Sequence, residues 1–224
     1  LGRAPGSDQK VARALRRTLE TSSDAFPQDV VELQSYFADD GQTGIAAVPG
    51  GGAKPELWIL GSSLFGAQLA AALGLPYAFA SHSAPGSLDE ALDVYRRHFR
   101  PSAVLDKPHA MAGFNVFAAD TDDEAELLGT AMQQTFVAAG STGTGIRMPP
   151  PVRGYLDTIP PQARGMLDHV LSCTAIGGPD KVRDGLAKFI ARTGVDEVML
   201  VSSIFDHDAR KRSLSIAAEA MRGL

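Results

Sequence analysis

The sequence predicts an α/β protein built on a parallel sheet. Two observations carry this. Short apolar runs alternate with longer segments of helical periodicity, punctuated by Gly and Pro. The strands are separated by helical stretches long enough for right-handed crossovers, which place successive strands parallel.

The elements follow in order. Asp8 is placed to cap a helix carrying Val11, Leu15 and Leu19, and Pro27 to open another with Val30, Leu33 and Phe37 on one face. Val48-Pro49-Gly50-Gly51-Gly52-Ala53 breaks regular structure. It does not join a strand to a helix, so it reads as a connector rather than a phosphate loop. Residues 57–60 are continuously apolar, as in a strand buried on both faces. Gly61-Ser62-Ser63 follows at once, then an alanine-rich helix over residues 64–73 that Gly74 stops. Residues 76–80 form the next strand. Ser87 and Glu90 form a capping box ahead of Leu88, Leu92, Tyr95 and Phe99. Residues 109–118 read as a strand, and Thr121 with Glu124 as a second capping box leading into Leu127, Leu128, Met132 and Phe136. Residues 140–161, rich in Gly, Pro and Thr, form an irregular excursion. Pro179 opens a helix with Val182, Leu186, Phe189 and Ile190 inward, and Gly194 closes it. A last strand over residues 198–201 and a helix over residues 208–221 end the chain.

That makes four convincing strands. An open doubly wound sheet and a (β/α)8 barrel both fit the pattern. A full barrel needs about 250 residues, roughly 31 per unit; by length this chain could hold about seven units, but the long excursion and the loops leave room for only about four to five.

Composition bounds the partners. The 224 residues are 44% hydrophobic and 21% charged, an ordinary balance for one globular domain over residues 1–224. Acidic residues outnumber basic ones 26 to 21, giving a net charge of −5, which argues against nucleic acid or an anionic membrane as partner. No apolar run is long enough for a transmembrane helix, and the opening residues have no signal-peptide pattern. They also lack an initiator Met, so a processed or incomplete chain is expected. Cys173 is the single cysteine and sits in an apolar stretch. A buried small hydrophobe in a reducing, cytoplasmic setting is expected, rather than a nucleophile.

Few residues carry chemistry. Gly61-Ser62-Ser63 lies where a strand ends and a helix begins. Unpaired helical N–H groups, the positive end of the helix dipole and two hydroxyls suit a phosphate there. A simple serine cap explains the same residues. A hydrolase elbow, G-x-S-x-G, is broken by Phe65 in place of its second glycine. His207 after the last strand could complete such a triad with Ser63. Its neighbours Asp206 and Asp208 suit a solvated helix cap better, and a metal site on these sequence neighbours is not expected. His82 ends a strand at the side where parallel folds place ligands, and its imidazole suits proton transfer. A hydrogen-bonded structural histidine is the other reading. Asn115, inside its strand, reads as structural. Arg3 could fork onto phosphate oxygens, although one arginine near a terminus is ordinarily solvated.

Taken together, the segments resemble the bacterial luciferase-like flavin monooxygenases, specifically the luciferase-like oxidoreductase subgroup. The matching stretches are Leu1-Gly2-Arg3-Ala4-Pro5-Gly6, Trp58-Ile59-Leu60-Gly61-Ser62-Ser63-Leu64-Phe65, Leu75-Pro76-Tyr77-Ala78-Phe79-Ala80-Ser81-His82, Leu105-Asp106-Lys107-Pro108, Gly177-Gly178-Pro179-Asp180 and Ser202-Ser203-Ile204-Phe205-Asp206-His207. They span essentially the whole chain in the family's order.

The resemblance implies the carboxyl-terminal four to five units of a (β/α)8 TIM barrel. Leu1 would then end the fourth strand, and the first three units, with the family's usual base and dimer surface, would lie outside this sequence. It implies reduced flavin mononucleotide (FMN) and oxygen acting on a small organic substrate, with a flavin reductase as partner and a dimeric full-length protein. The deazaflavin F420 is an alternative cofactor within the same superfamily. It also implies that Arg3, Gly61, Ser62 and Ser63 meet the flavin phosphate and that His82 lies near the flavin ring or the substrate.

Overall fold

A computed structural model describes residues 1–3, 25–38, 44–142, 146–222 and 224. The helix expected behind Asp8 lies outside the described residues. The elements are α1 (Phe26–Ala38), β1 (Ile59–Gly61), α2 (Leu64–Leu73), β2 (Tyr77–Phe79), α3 (Leu88–His98), β3 (Ala110–Ala118), α4 (Asp122–Thr142), α5 (Tyr155–Thr158), α6 (Pro161–Val170), β4 (Thr174–Gly177), α7 (Pro179–Thr193), β5 (Glu197–Val201) and α8 (His207–Met221).

All strand pairs are parallel. Gly2 bridges Leu60 of β1, β1 pairs β2, β2 pairs β3, and β3 pairs β5. Spatial order along this path follows chain order with no reversal, as in an arc of a barrel; a doubly wound sheet reverses at a switch point. The core agrees. Helices α2, α3, α7 and α8 bury Ala70, Leu92, Leu186 and Ile216 in one cluster with the same face of the sheet, through Ile59, Tyr77, Phe114 and Val116. The sheet is therefore an arc of a parallel (β/α) barrel-type fold, with the crossover helices α2, α3, α7 and α8 on its outer face.

One-sided packing corrects the reading of residues 57–60. Ile59 is fully buried, but its neighbour Leu60 points to the other face and is 48% exposed. Successive side chains of a strand point to opposite faces, and the crossover helices cover only one. Met199 of β5 is exposed on that same inner face, since its ladder partner is Gly113 and Leu60 connects through Ala78 to Met111.

The strand the sequence did not reveal is β4, four residues long with a glycine at its end. It joins the β2 edge of β3, further along. Tyr77 N–H bonds the O of His109, the residue just before β3, and Asn115 N–H bonds Cys173 O, both at odd-numbered positions, whereas Asp196 N–H bonds Ala110 O at an even one. The excursion is thus wider than residues 140–161. It leaves β3 through α4 and returns at β4, with α5 and α6 inside it. A Cβ on Gly129 of α4 would lie 3.5 Å from Ile176 and 3.7 Å from Phe117, so α4 packs on the inner face, opposite α7 and α8.

Helix ends follow the sequence in most places. Gly74 and Gly194 close α2 and α7 in left-handed conformations. Arg96 reaches across from α3 and donates to Thr193 O at 2.8 Å and Gly194 O at 2.6 Å, setting a cation on the negative end of α7. The Glu124 N–H donates to the Thr121 hydroxyl at 3.3 Å, one half of the expected capping box. The Ser87–Glu90 box is not made: the chain enters α3 through a 3-10 turn, Pro85–Ser87, and Ser87 has φ −108 and ψ 14 rather than the extended geometry of a cap.

Two substitutions test this frame. A Cβ on Gly74 would lie 2.5 Å from both Arg100 O and Ser102 Cβ, at φ +63. Gly74→Ala is expected to cost at least about 2 kcal/mol in urea unfolding, from left-handed strain and a clash with backbone. Ser213, fully buried on α8, accepts the Ala118 N–H at 2.9 Å. Ser213→Ala leaves that donor unpaired, with an expected loss of about 1–3 kcal/mol in the same measurement.

Candidate functional site

The carboxyl ends of β1, β2 and β3 carry the residues singled out from sequence. At β1, the parallel bridge between Gly2 and Leu60 and the bond from Leu60 N–H to Leu1 O at 2.7 Å carry Arg3 alongside Gly61. The Arg3 guanidinium lies 4.1 Å above the ring of Phe65 in the first turn of α2. Arg3, Gly61, Ser62 and Ser63 therefore converge on one helix start.

That start is open. Ser63 is the N-cap of α2 with extended φ −144 and ψ 170, and its hydroxyl makes no capping bond; the first turn holds no acidic residue. Ser62 and Ser63 are both exposed. The capping reading of Ser63 is thus not what the structure shows. At α7 the equivalent place is filled: the Gly178 N–H donates to Asp122 Oδ1 at 2.7 Å. That bond, with Lys181 at 3.2 Å, holds the Asp122 carboxyl below its usual range. A carboxylate from the chain itself already serves the dipole of α7, and no such anion meets α2 among the described residues.

Close approach at this turn needs glycine one residue later than the hydrolase pattern places it. A Cβ on Gly66 would meet the Tyr77 ring at 3.3 Å and Gly61 Cα at 3.5 Å. Phe65, which breaks the elbow pattern, is the platform beneath Arg3.

His82 belongs to a second group, over β3. Its ring lies so close to the Gly113 Cα that a Cβ there would sit 2.2 Å from Nδ1. The preceding Ser81 hydroxyl donates to Gly113 O at 2.6 Å. Asn115, fully buried, donates through Nδ2 to the His82 carbonyl at 2.6 Å and to the Thr174 hydroxyl at 3.3 Å. Two buried atoms in this group, His82 Nδ1 and Asn115 Oδ1, have no hydrogen-bond partner. Such atoms are rare in folded proteins and mark places where a bound molecule or water completes the set. Burial lowers the His82 pKa below its ordinary 6.5, so the ring is neutral at pH 7. The sequence marked Asn115 as structural; only the fold shows it joining His82 to β4.

The other sequence candidates are not brought together. Asp206 caps α8 by accepting the Ala209 N–H at 2.8 Å, and His207 Nδ1 faces Arg210 at 2.9 Å. Ser63 stands at the end of β1 and His207 beyond β5, strands separated by β2 and β3. A Ser63–His207 pair is not formed. Cys173 is buried, and burial pushes its thiol pKa up despite Arg192 nearby, as suits a packing residue. No cluster of metal-ligating side chains occurs among the described residues, and no helix among them is long and apolar enough to cross a membrane.

Fold and site together describe a barrel with an anion-accepting strand–helix turn and an unsatisfied polar pair one strand further on. The chain belongs to the luciferase-like monooxygenase family, whose model matches residues 9–197. It is 46% identical over 225 residues to a luciferase-like monooxygenase of Escherichia coli strain K12, covering 100% of this chain and 67% of that protein. It is 42% identical over 224 residues to YvbT of Bacillus subtilis strain 168, covering 99% and 66%. The crystal structure of apo-MsnO8 matches with a TM-score of 0.85 at 33% identity, over 99% of this chain and 67% of that one. The oxygenating constituent of 3,6-diketocamphane monooxygenase in complex with FMN shares the fold, with a TM-score of 0.65 at 16% identity, over 98% of this chain and 69% of that one. The chain spans about two thirds of the length of these relatives.

The His82 packing has a pH signature. A histidine whose folded pKa is depressed stabilises the fold above its unfolded value of 6.5, and this contribution is lost as pH falls from there toward the folded value. An NMR titration is expected to place the His82 midpoint below 6.5. Gly113→Ala should push the ring into water and raise that midpoint toward the ordinary value. A midpoint unmoved by Gly113→Ala would contradict the packing described.

Proposed function

We propose that this chain is the phosphate-binding part of a cytoplasmic flavin-dependent monooxygenase that uses reduced FMN and oxygen on a small organic substrate. The observation that carries the reading is the open start of α2, with the exposed Ser62 and Ser63, no capping bond from the Ser63 hydroxyl, no acidic residue in the first turn and Arg3 beside it. Family membership supports it.

In this reading the first N–H groups of α2 and the Ser62 and Ser63 hydroxyls donate to the phosphate oxygens. Gly61 presents a surface without a side chain. Arg3, braced on Phe65, supplies the balancing positive charge. His82 and Asn115 form the inner wall beside the ring or the substrate. Asn115 Nδ2 holds the His82 carbonyl at 2.6 Å, which fixes the neutral ring in place. Their place between β3, β4 and the His82 turn keeps that wall partly dry, which strengthens each polar contact. When bound, reduced flavin supplies the electrons with which molecular oxygen delivers one atom to the substrate and one to water. A flavin reductase would supply the reduced cofactor, and the full-length protein would act as a dimer.

Arg3→Ala and Ser63→Ala are each expected to weaken FMN by about tenfold, the scale of one charge-assisted hydrogen bond. Riboflavin, which lacks the phosphate, should bind these variants as it binds the parent protein. Equilibrium dialysis or fluorescence titration with both flavins reads the difference. Equal losses for the two flavins would remove the assigned role.

A further inference from the structure

The turn that carries His82 is gripped from one direction. It runs from the end of β2 through the 3-10 turn Pro85–Ser87 into α3. Along it the chain meets the returning limb of the excursion, residues 169–174, at both ends and in the middle. At the His82 end, Asn115 Nδ2 donates to the His82 carbonyl at 2.6 Å and to the Thr174 hydroxyl at 3.3 Å. In the middle, the bare backbone of Gly86 lies against the His169 ring, since a Cβ there would be 3.4 Å from Nε2 and 3.6 Å from Cε1. At the α3 end, Arg192 Nη1 donates to both carboxylate oxygens of Asp89, at 2.9 and 2.7 Å, and its Nη2 faces Cys173 Sγ at 3.6 Å.

The limb is stiff enough to transmit this grip. α6 runs into β4 without a slack connection: Leu171 N–H donates to Leu167 O at 2.8 Å, Ser172 N–H to His169 O at 3.2 Å, and Cys173 O accepts the Asn115 N–H at 3.0 Å. Behind it α4 backs α6, where a Cβ on Gly140 would lie 3.4 Å from Met166 Cε. The Asn115 side-chain amide donates both of its hydrogens, one to His82 and one to Thr174. The opposite orientation would set Oδ1 against the His82 carbonyl, acceptor against acceptor, so the amide has one stable setting. Contacts spread from His82 to Asp89 restrain both the position and the tilt of the turn.

We propose that this limb is the positioning element for His82, with Thr174 and His169 as its positioning residues. Thr174 acts through Asn115 on the His82 carbonyl, and His169 acts through Gly86 on the turn. A group beside a reacting centre is precise only when the residues behind it lock its setting. The bearing of this brace on the reaction rests on the reading of His82 as a wall of the flavin or substrate site. The brace itself does not, and its test reads His82 with no flavin present, so either can fail alone.

NMR on the whole chain tests it at two points. Thr174→Val keeps the shape and removes the hydroxyl. The His82 titration midpoint is expected to rise toward 6.5 as the loosened ring takes up water. Thr174→Ser, which keeps the hydroxyl, should leave the midpoint where it is. His169→Ala, at an exposed helix position, should speed amide exchange about tenfold at Ser83, Ala84 and Leu88, whose N–H groups bond Ala80 O, Ala80 O and Pro85 O inside the turn. The Ile59 and Tyr77 amides, in the sheet away from the limb, should keep their rates. An unmoved midpoint in folded Thr174→Val, a midpoint moved as far by Thr174→Ser, unchanged exchange in His169→Ala, or equal acceleration at Ile59 and Tyr77 would each overturn the proposal. If Thr174→Val does not fold, the exchange measurement on His169→Ala decides it.

Discussion

The structure is registered against one strand. β3 carries nine residues whose sides alternate without interruption. Ala110, Ala112, Phe114, Val116 and Ala118 face the core shared with the crossover helices. Met111, Gly113, Asn115 and Phe117 face the other way. β2 and β4 bond to one edge of this strand and β5 to the other. A slip of one residue would exchange the two faces, putting Asn115 into the hydrocarbon core and Phe114 beside His82. Gly113 is the tightest point, because the His82 ring occupies the space any side chain would need.

The same register divides polar work between two helix starts. Both α2 and α7 begin at the carboxyl end of a parallel strand, so both present unpaired N–H groups toward the same side of the sheet. At α7 the excursion closes the matter internally. Asp122, at the start of α4, reaches the Gly178 N–H, and Lys181 balances it. Gly177, at φ +155, leaves no room for a Cβ between Lys181 and Asp122. At α2 nothing in the described chain performs that service, and a nearby arginine is braced on an aromatic ring instead. The difference between two otherwise similar turns is what separates a structural helix start from a candidate anion site.

Much of the fold was legible in the sequence. The strands over residues 57–60, 76–80, 109–118 and 198–201 appear within a residue or two, because apolar runs bounded by Gly and Pro are strong local signals. The glycine stops at Gly74 and Gly194 are where the sequence puts them. β4 was not legible, since four residues ending in glycine carry little periodicity and form a strand only because β3 extends past β2. Nor was the extent of the excursion. The α4 segment has the capping and apolar spacing of an ordinary crossover helix, and only its contact with Phe117 and Ile176 places it on the inner face. Within the site, Arg3, Gly61, Ser62, Ser63 and His82 could be singled out by residue type and position. Gly66 and Asn115 could not, because their importance lies in what they touch.

The sequence by itself determined the alternation of strand and helix, the places where helices start and stop, and the family to which the chain belongs. Those depend on interactions within a few residues and on motif order. Only the tertiary structure decided which helix start remains open to an anion, which side of the sheet is left to the inner wall, and which buried polar atoms go unsatisfied. These depend on whether a partner arrives from elsewhere in the chain: Asp122 reaches α7 from 56 residues away, and no described residue does the same for α2.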